Sequence, residues 1–317
     1  MTWGCTRLAF GCSPAKWYPV SAAVRHTHTP LPSARRLLTM SAGPEVVCLD
    51  CTGTIMRIKG SMPRLYLGVL EDRLGVLEGE LPDKVSEQDL LDSFRASLKR
   101  RSKELPCFGA GVMSSEDWWA EVVRATFRGA GVSARTLGIA EEGGGGGGGG
   151  GGVFDDVFDC LFHDVFTSTA AWELVPGAEE VLEDLQAWCR EDGGPRALGA
   201  VSNFDERLHP LLKNLGVHDA FDFVLTSREC GSEKPDPGML LEALERAGAS
   251  GGGVERKGVL IGDTFRTDVL GATSIGWDSV LITRGRDPAG DEEREIEHFR
   301  VDDLRAVPAA LGIAGRR

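Results

Sequence analysis

The sequence predicts an α/β fold: a parallel β-sheet with helices on both faces, interrupted by a largely helical insert. Three observations carry this expectation. From Pro176 onward, apolar strand-like runs alternate with amphipathic helical stretches, the pattern of parallel strands joined by helical crossovers. Three apolar runs end in polar residues: Glu45-Val-Val-Cys-Leu-Asp50, Gly199-Ala-Val-Ser202 and Val259-Leu-Ile-Gly262-Asp263. Between the first and second of these, over residues 58–172, strand signals are weak and apolar residues recur at helical spacing.

Taken in order, the first strand delivers the carboxylate of Asp50 into the turn Asp50-Cys-Thr-Gly-Thr54. Open α/β sheets bind ligands at the carboxyl ends of their strands, which is where this places Asp50. The insert reads as helices over residues 65–74, 88–101, 116–130 and 153–166. In the third, Trp118, Trp119, Val122, Val123 and Thr126 share one face, and the Trp pair is expected to pack in a core. Beyond Pro176, Val181, Leu182, Leu185, Trp188 and Cys189 form a helical stripe. A strand ending at Ser202, a helix over 206–215 and a strand over 221–226 follow. Leu240, Leu241, Leu244 and Ala247 mark the next helix, which leads to the strand ending at Asp263. A short helix over 269–275 and a strand over 279–283 come after it. Residues 288–297 are charged and expected to be solvated, and 302–311 read as a terminal helix.

With 42% apolar residues the chain can bury a substantial core, and no run of about 18 apolar residues suggests a membrane span. Residues 1–44 hold Arg7, Lys16, Arg25, Arg35 and Arg36, no Asp or Glu, and many Ser, Thr, Ala and Pro. That composition reads as a transit segment for a chloroplast or mitochondrion, the alternative being a plain extension of a cytoplasmic protein. Removing its five positive charges takes the chain from −13 to −18. So acidic a body argues against nucleic acid and anionic membranes as partners. Residues 143–152 are ten consecutive glycines, which lose too much entropy on ordering to fold and are expected to form an inert coil inside the insert. Neither this run nor Gly251-Gly-Gly253 is followed by the Lys-Ser/Thr of a phosphate loop. Cys48 and Cys51 are three apart along a strand and so point to opposite faces; with no second pair to complete a zinc site, the cysteines are expected to be reduced and buried.

The polar strand ends carry the chemistry. In order the chain offers a carboxylate (Asp50), a hydroxyl and amide (Ser202-Asn203), a cation (Lys234 of Glu233-Lys-Pro-Asp-Pro237) and a carboxylate pair (Asp263 and Asp268). Such carboxylates suit a hard cation, and a lysine beside them suits a phosphate. This order resembles the haloacid-dehalogenase-like superfamily, over roughly residues 45–285. The resemblance implies a Rossmann-like core in residues 45–57 and 173–317, with residues 58–172 forming a cap over the active site. It implies that Asp50 is the nucleophile and also a Mg²⁺ ligand, with Asp263, Asp268 and the backbone carbonyl of Thr52 completing the protein's share of the metal site. Lys234 would neutralise a substrate phosphate and hold Asp50 ionised. Ser202 would donate to a phosphate oxygen, and the N–H groups of Cys51, Thr52 and Asn203 would complete the cradle. Thr54 would fix the turn. The substrate implied is a small phosphorylated molecule.

Position 52 departs from the family's phosphatase pattern, which carries a second Asp two residues after the nucleophile. A threonine hydroxyl cannot protonate a leaving group or activate water near neutrality, and such help is worth roughly 10²–10⁴-fold. Family dehalogenases usually have an aromatic residue there, which disfavours that activity. Two readings follow: a slow phosphatase or phosphotransferase, and a degenerate member that binds a phosphorylated ligand or a protein without turnover.

Overall fold

The computed structural model describes residues 43–140, 152–248 and 258–313. The transit-like segment 1–42, most of the glycine run and Gly251-Gly-Gly253 lie outside these residues. Six parallel strands form the main sheet in the order β5-β4-β1-β6-β7-β8: β1 (Val46–Leu49), β4 (Ala197–Ser202), β5 (Phe223–Thr226), β6 (Gly258–Gly262), β7 (Asp278–Ile282) and β8 (Phe299–Val301). Every neighbouring pair in it is parallel. The expected fold class is therefore the observed one. β1 lies at the centre and is buried on both faces, which explains its unbroken apolar run.

Successive β1 residues feed opposite cores. Val47 and Leu49 pack with Leu198 and Ile261 on one side. Val46 and Cys48 pack with Val201 and Leu260 on the other. Cys51 belongs to the first core and Cys48 to the second, and both are free thiols, as the strand geometry requires.

The chain leaves the sheet after β1 through a second, two-stranded ribbon. β2 (Met56–Ile58) pairs antiparallel with β3 (Trp172–Leu174), Met56 opposite Leu174 and Ile58 opposite Trp172. Between them lie α1 (Met62–Leu74), α2 (Glu87–Glu104), α3 (Ser115–Gly129) and α4 (Val153–Asp159). Ser61, Ser86 and Ser114 cap the first three, each accepting a backbone N–H three residues on. The insert has its own core, including Tyr66, Leu70, Leu90, Phe127, Phe154 and Phe158. The sheet's faces are covered by α5 (Ala178–Cys189) and α6 (Leu208–Asn214) on the Val47 side, and by α7 (Gly238–Arg246) and α8 (Leu270–Ser274) on the Val46 side.

Three short strands escape the sequence pattern: β2, β3 and β8 are three residues each and show no alternation. The charged stretch 288–297 is not uniformly solvated either. It forms α9 (Asp291–Glu295), and Glu293 is only 4% exposed, its carboxylate bound by the Ala289 N–H, Arg286 and Arg300. No helix among the described residues is long and apolar enough to cross a membrane.

Candidate active site

Neighbouring strand ends gather the polar residues. The Asp50 N–H donates to the Ile261 carbonyl (2.8 Å), so the ladder between β1 and β6 continues into the residue that carries the carboxylate. The chain then turns sharply: Ile55 N and Met56 N both reach the Cys51 carbonyl, and Gly53 N reaches that of Met56. Gly53 has φ +83°, and a Cβ on it would lie 2.3 Å from Asp263 Oδ2. Gly262 is tighter still, since a Cβ there would meet Asp268 Oδ2 at 2.2 Å. Both positions demand glycine because a carboxylate occupies the space. Thr54 is buried in this turn, but its hydroxyl has no partner among the described residues; backbone bonds hold the turn, not the Thr54 side chain.

At the end of β4, Ser202 Oγ donates to Asp50 Oδ1 (3.1 Å). Asn203 grips the lysine segment from both sides: its Nδ2 donates to the Lys234 carbonyl and its Oδ1 accepts the Lys234 N–H, each at 2.8 Å. Lys234, 2% exposed, donates from Nζ to Asp50 Oδ1 and to Asp268 Oδ1, both at 2.8 Å. The other oxygen of Asp268 accepts the Thr264 N–H (3.0 Å). Carboxylate oxygens of Asp50, Asp263 and Asp268 all lie within 4.8 Å of one another. Such a set fits a hard divalent cation. The Thr52 carbonyl accepts no hydrogen bond among the described residues, and the N–H groups of Cys51, Thr52 and Asn203 donate none.

Electrostatics follow from this packing. Burial pushes the Asp50 carboxyl up to about 6, against the pull of Lys234 and with a further push from Asp268. Burial alone would discharge Lys234, but Asp268 and Asp50 outweigh it and raise its pKa. One ammonium shared by two carboxylates stays charged. Burial also raises Asp263, opposed by Arg284. The Cys51 thiol is pushed up by burial and is no nucleophile.

Several residues here carry no sequence signal. Arg284, on the turn after β7 at φ +51°, donates to Asp263 Oδ2 (3.1 Å) and to the Gly53 carbonyl. It reaches the site only because β7 neighbours β6. Asp205, fully buried, sits just past Ser202-Asn203 and binds the Arg207 guanidinium with both oxygens (2.8 and 2.7 Å). The tryptophan pair divides. Trp118 is fully buried, as expected, with Nε1 donating to the Leu105 carbonyl (2.9 Å). Trp119 instead lines the cavity above the site and donates to Asp205 Oδ2 (2.7 Å).

A parallel sheet that collects a carboxylate, hydroxyl, lysine and acidic pair at adjacent strand ends, with a helical insert after its first strand, defines a class of hydrolase. The family model of haloacid dehalogenase-like hydrolases matches residues 44–276, and the chain belongs to that family. It is 33% identical over 231 residues to haloacid dehalogenase-like hydrolase domain-containing protein 3 of Bos taurus, covering 71% of this chain and 80% of the relative. A glyceraldehyde 3-phosphate phosphatase of Methanothermobacter thermautotrophicus is 38% identical over 86 residues, 27% of this chain and 36% of that one. The fold is similar to an HAD phosphatase from Thermococcus onnurineus (TM-score 0.51, 20% identity, 85% of this chain and 98% of that one). It is equally similar to a 2-haloacid dehalogenase from Pseudomonas syringae (TM-score 0.52, 20% identity, 85% and 98%), so fold alone does not choose between the two chemistries.

Proposed function

We propose that this hydrolase is a Mg²⁺-dependent phosphatase or phosphotransferase that acts on a small phosphorylated molecule through an aspartyl phosphate on Asp50. The observation that carries this reading is the placement of Asp50, with Lys234 and Ser202 on one of its oxygens and Asp263 and Asp268 beside it. The likeness to an archaeal phosphatase supports it. Mg²⁺ would be held by Asp50, Asp263, Asp268 and the Thr52 carbonyl, and when bound would offset negative charge shared by carboxylates and phosphate.

In this mechanism an Asp50 oxygen attacks phosphorus as the bond to the ester oxygen breaks. Lys234 opposes the charge of the phosphoryl oxygens, and Ser202 and the unpaired N–H groups of Cys51, Thr52 and Asn203 donate to them. The leaving alkoxide must take its proton from water, because Thr52 has none to give at neutral pH. Water then attacks the phosphorus of the aspartyl phosphate, releasing phosphate and restoring the carboxylate, again without a nearby base. Residues 58–172 act as the cap over this site, and residues 173–317 with 45–57 as the core. Import into a chloroplast or mitochondrion completes the reading on the composition of residues 1–44, and sequencing the mature N-terminus tests it.

Thr52 favours a second reading, binding without turnover. Rapid mixing with Mg²⁺ and a panel of phosphorylated metabolites, followed by acid quench and detection of acyl phosphate, separates the two. Phospho-enzyme on Asp50 that decays slowly supports catalysis. No phospho-enzyme and no released phosphate with any substrate leaves the binding reading.

A further inference from the structure

We propose that the group carrying the phosphate is apolar, and that it lies in the cavity between the strand ends and the helical insert. This deepens the phosphatase reading and rests on it for the phosphate end.

The cavity measures about 710 Å³, within the range of roughly 300–1,000 Å³ that holds a drug-sized ligand. Thr52, Asn203 and Lys234 line it on the sheet side, so it is continuous with the candidate active site. A phosphate seated at Lys234 would therefore direct its ester body into this cavity.

The insert side is apolar. On α2, Leu91, Phe94 and Leu98 follow helical spacing and line the cavity while only partly buried; the fully buried residues of that helix are Leu90 and Ser97. A stripe left half-open leaves apolar surface in water that a ligand would cover. Phe108 joins it from a left-handed backbone pair, Cys107 at φ +49° and Phe108 at φ +54°. Its carbonyl is held by Arg228 from the sheet side, and its ring stacks on Trp119 at 5.8 Å. Strained non-glycine backbone persists where surroundings hold it in place, as they do here.

The charged groups lining the cavity do not suit a polar body. Lys234, already shared by Asp50 and Asp268, serves the phosphate and not the group that carries it. Arg207 is neutralised by Asp205, and its guanidinium lies over the Phe162 ring at 4.0 Å and the Trp119 ring at 5.1 Å. Arg95 is exposed and pairs with Asp92. Glu233 would repel a second anionic group. The Asn203 amide is spent on the Lys234 backbone. A sugar or a bisphosphate would exchange its water here for Arg95 and the hydroxyls of Thr52, Tyr66, Ser102 and Thr267 within a mostly apolar lining, whereas an alkyl or aryl group needs no partner.

The test is the full chain with Mg²⁺ and a series of straight-chain phosphate monoesters from methyl to octyl, in which the leaving groups differ little in reactivity. The expected result is a kcat/KM that rises roughly fourfold per added CH₂ until the cavity fills. Propyl phosphate should exceed glycerol phosphate by at least about tenfold, since two hydroxyls must be desolvated. Binding of the matching alkylphosphonates, followed by tryptophan fluorescence from Trp119 and Trp172, should show the same dependence without turnover. Leu98→Gln and Leu91→Gln, at partly exposed positions not packed against the insert's core, should flatten both slopes. Turnover with no dependence on chain length, preference for glycerol phosphate, or slopes unchanged in the variants would each overturn the inference and leave the phosphatase reading intact. Conversely, length-dependent phosphonate binding without turnover of any ester upholds the apolar site and removes the phosphatase reading. Absence of both turnover and phosphonate binding overturns both.

Discussion

The two walls of the cleft are built on different physics. On the sheet side, Asp50, Ser202, Lys234 and Asp268 are all buried and joined by bonds of 2.8–3.1 Å. On the insert side, Leu91, Phe94, Leu98 and Phe162 present apolar surface, and the directional bonds described above, from Trp119 to Asp205 and from Arg228 to the Phe108 carbonyl, tie this wall to the sheet side. Hydrogen bonds and ion pairs weaken steeply with displacement, so Asp50 and Ser202 sit at neighbouring strand ends, and Lys234 and Asp268 on the segments that follow β5 and β6. Apolar contact scales with area and tolerates displacement, so an insert hung on a ribbon of two three-residue strands can supply it. The contrast teaches that reactivity and selectivity are physically separable here, and five substitutions sharpen or break it.

The largest effect is expected at Asp50. Asp50→Asn keeps the shape but removes the nucleophile, so turnover should fall by about 10⁴-fold or more. The fold should survive because Lys234 keeps Asp268 as a partner. Turnover at the wild-type rate would show that the sheet-side wall is not the reactive one.

Thr52→Asp should act in the opposite direction. Thr52 is exposed and lines the cavity, so the change meets no packing barrier. If the missing carboxylate limits the rate, phosphatase turnover should rise, by up to roughly 10²–10⁴-fold. The gain will be smaller if the new charge, close to Asp50, weakens phosphate binding. A faster decay of acyl phosphate in single-turnover experiments is the direct readout.

Lys234→Met separates the walls by stability. It leaves Asp50 and Asp268 buried without their cation, and breaking such a pair costs about 3–5 kcal/mol. Without divalent cations, Tm should fall by about 6–20 °C, at roughly 2–4 °C per kcal/mol. Leu98→Gln on the opposite wall should barely move Tm. Equal losses in the two variants would erase the distinction.

The smallest effect concerns Arg284. Its guanidinium pairs with Asp263, a candidate metal ligand, and so competes with a cation there. Arg284→Gln should tighten Mg²⁺ binding by calorimetry by about three- to tenfold, the scale of 1 kcal/mol between partly screened charges. Weaker binding would mean that Arg284 organises the metal site instead.

Much of the sheet was legible because a strand and the group at its end are contiguous. Val46–Leu49 runs into Asp50, Ala197–Ser202 carries its own hydroxyl, and Gly258–Gly262 runs into Asp263. The helices of the insert were legible from their apolar spacing. What stayed hidden depends on partners distant in the chain. The β2–β3 ribbon joins segments more than a hundred residues apart through three pairs too short to show a period. Glu293 sits in a charged run that composition assigns to solvent, and only Arg286 and Arg300 converging on it make its burial tolerable. Trp118 and Trp119 are neighbours in sequence, yet one is sealed in packing and the other opens on the cavity, because adjacent helical positions differ by about 100° in direction.

By itself, then, the sequence determined the α/β class, the order of the strand ends and the types of side chain they carry, because these depend on local periodicity and on residues adjacent in the chain. Only the tertiary structure decided which carboxylates share Lys234, that Arg284 reaches Asp263, and that the stripe on α2 faces an open cavity. These are relations between segments brought together by folding, and their energies depend on distances that no local pattern encodes.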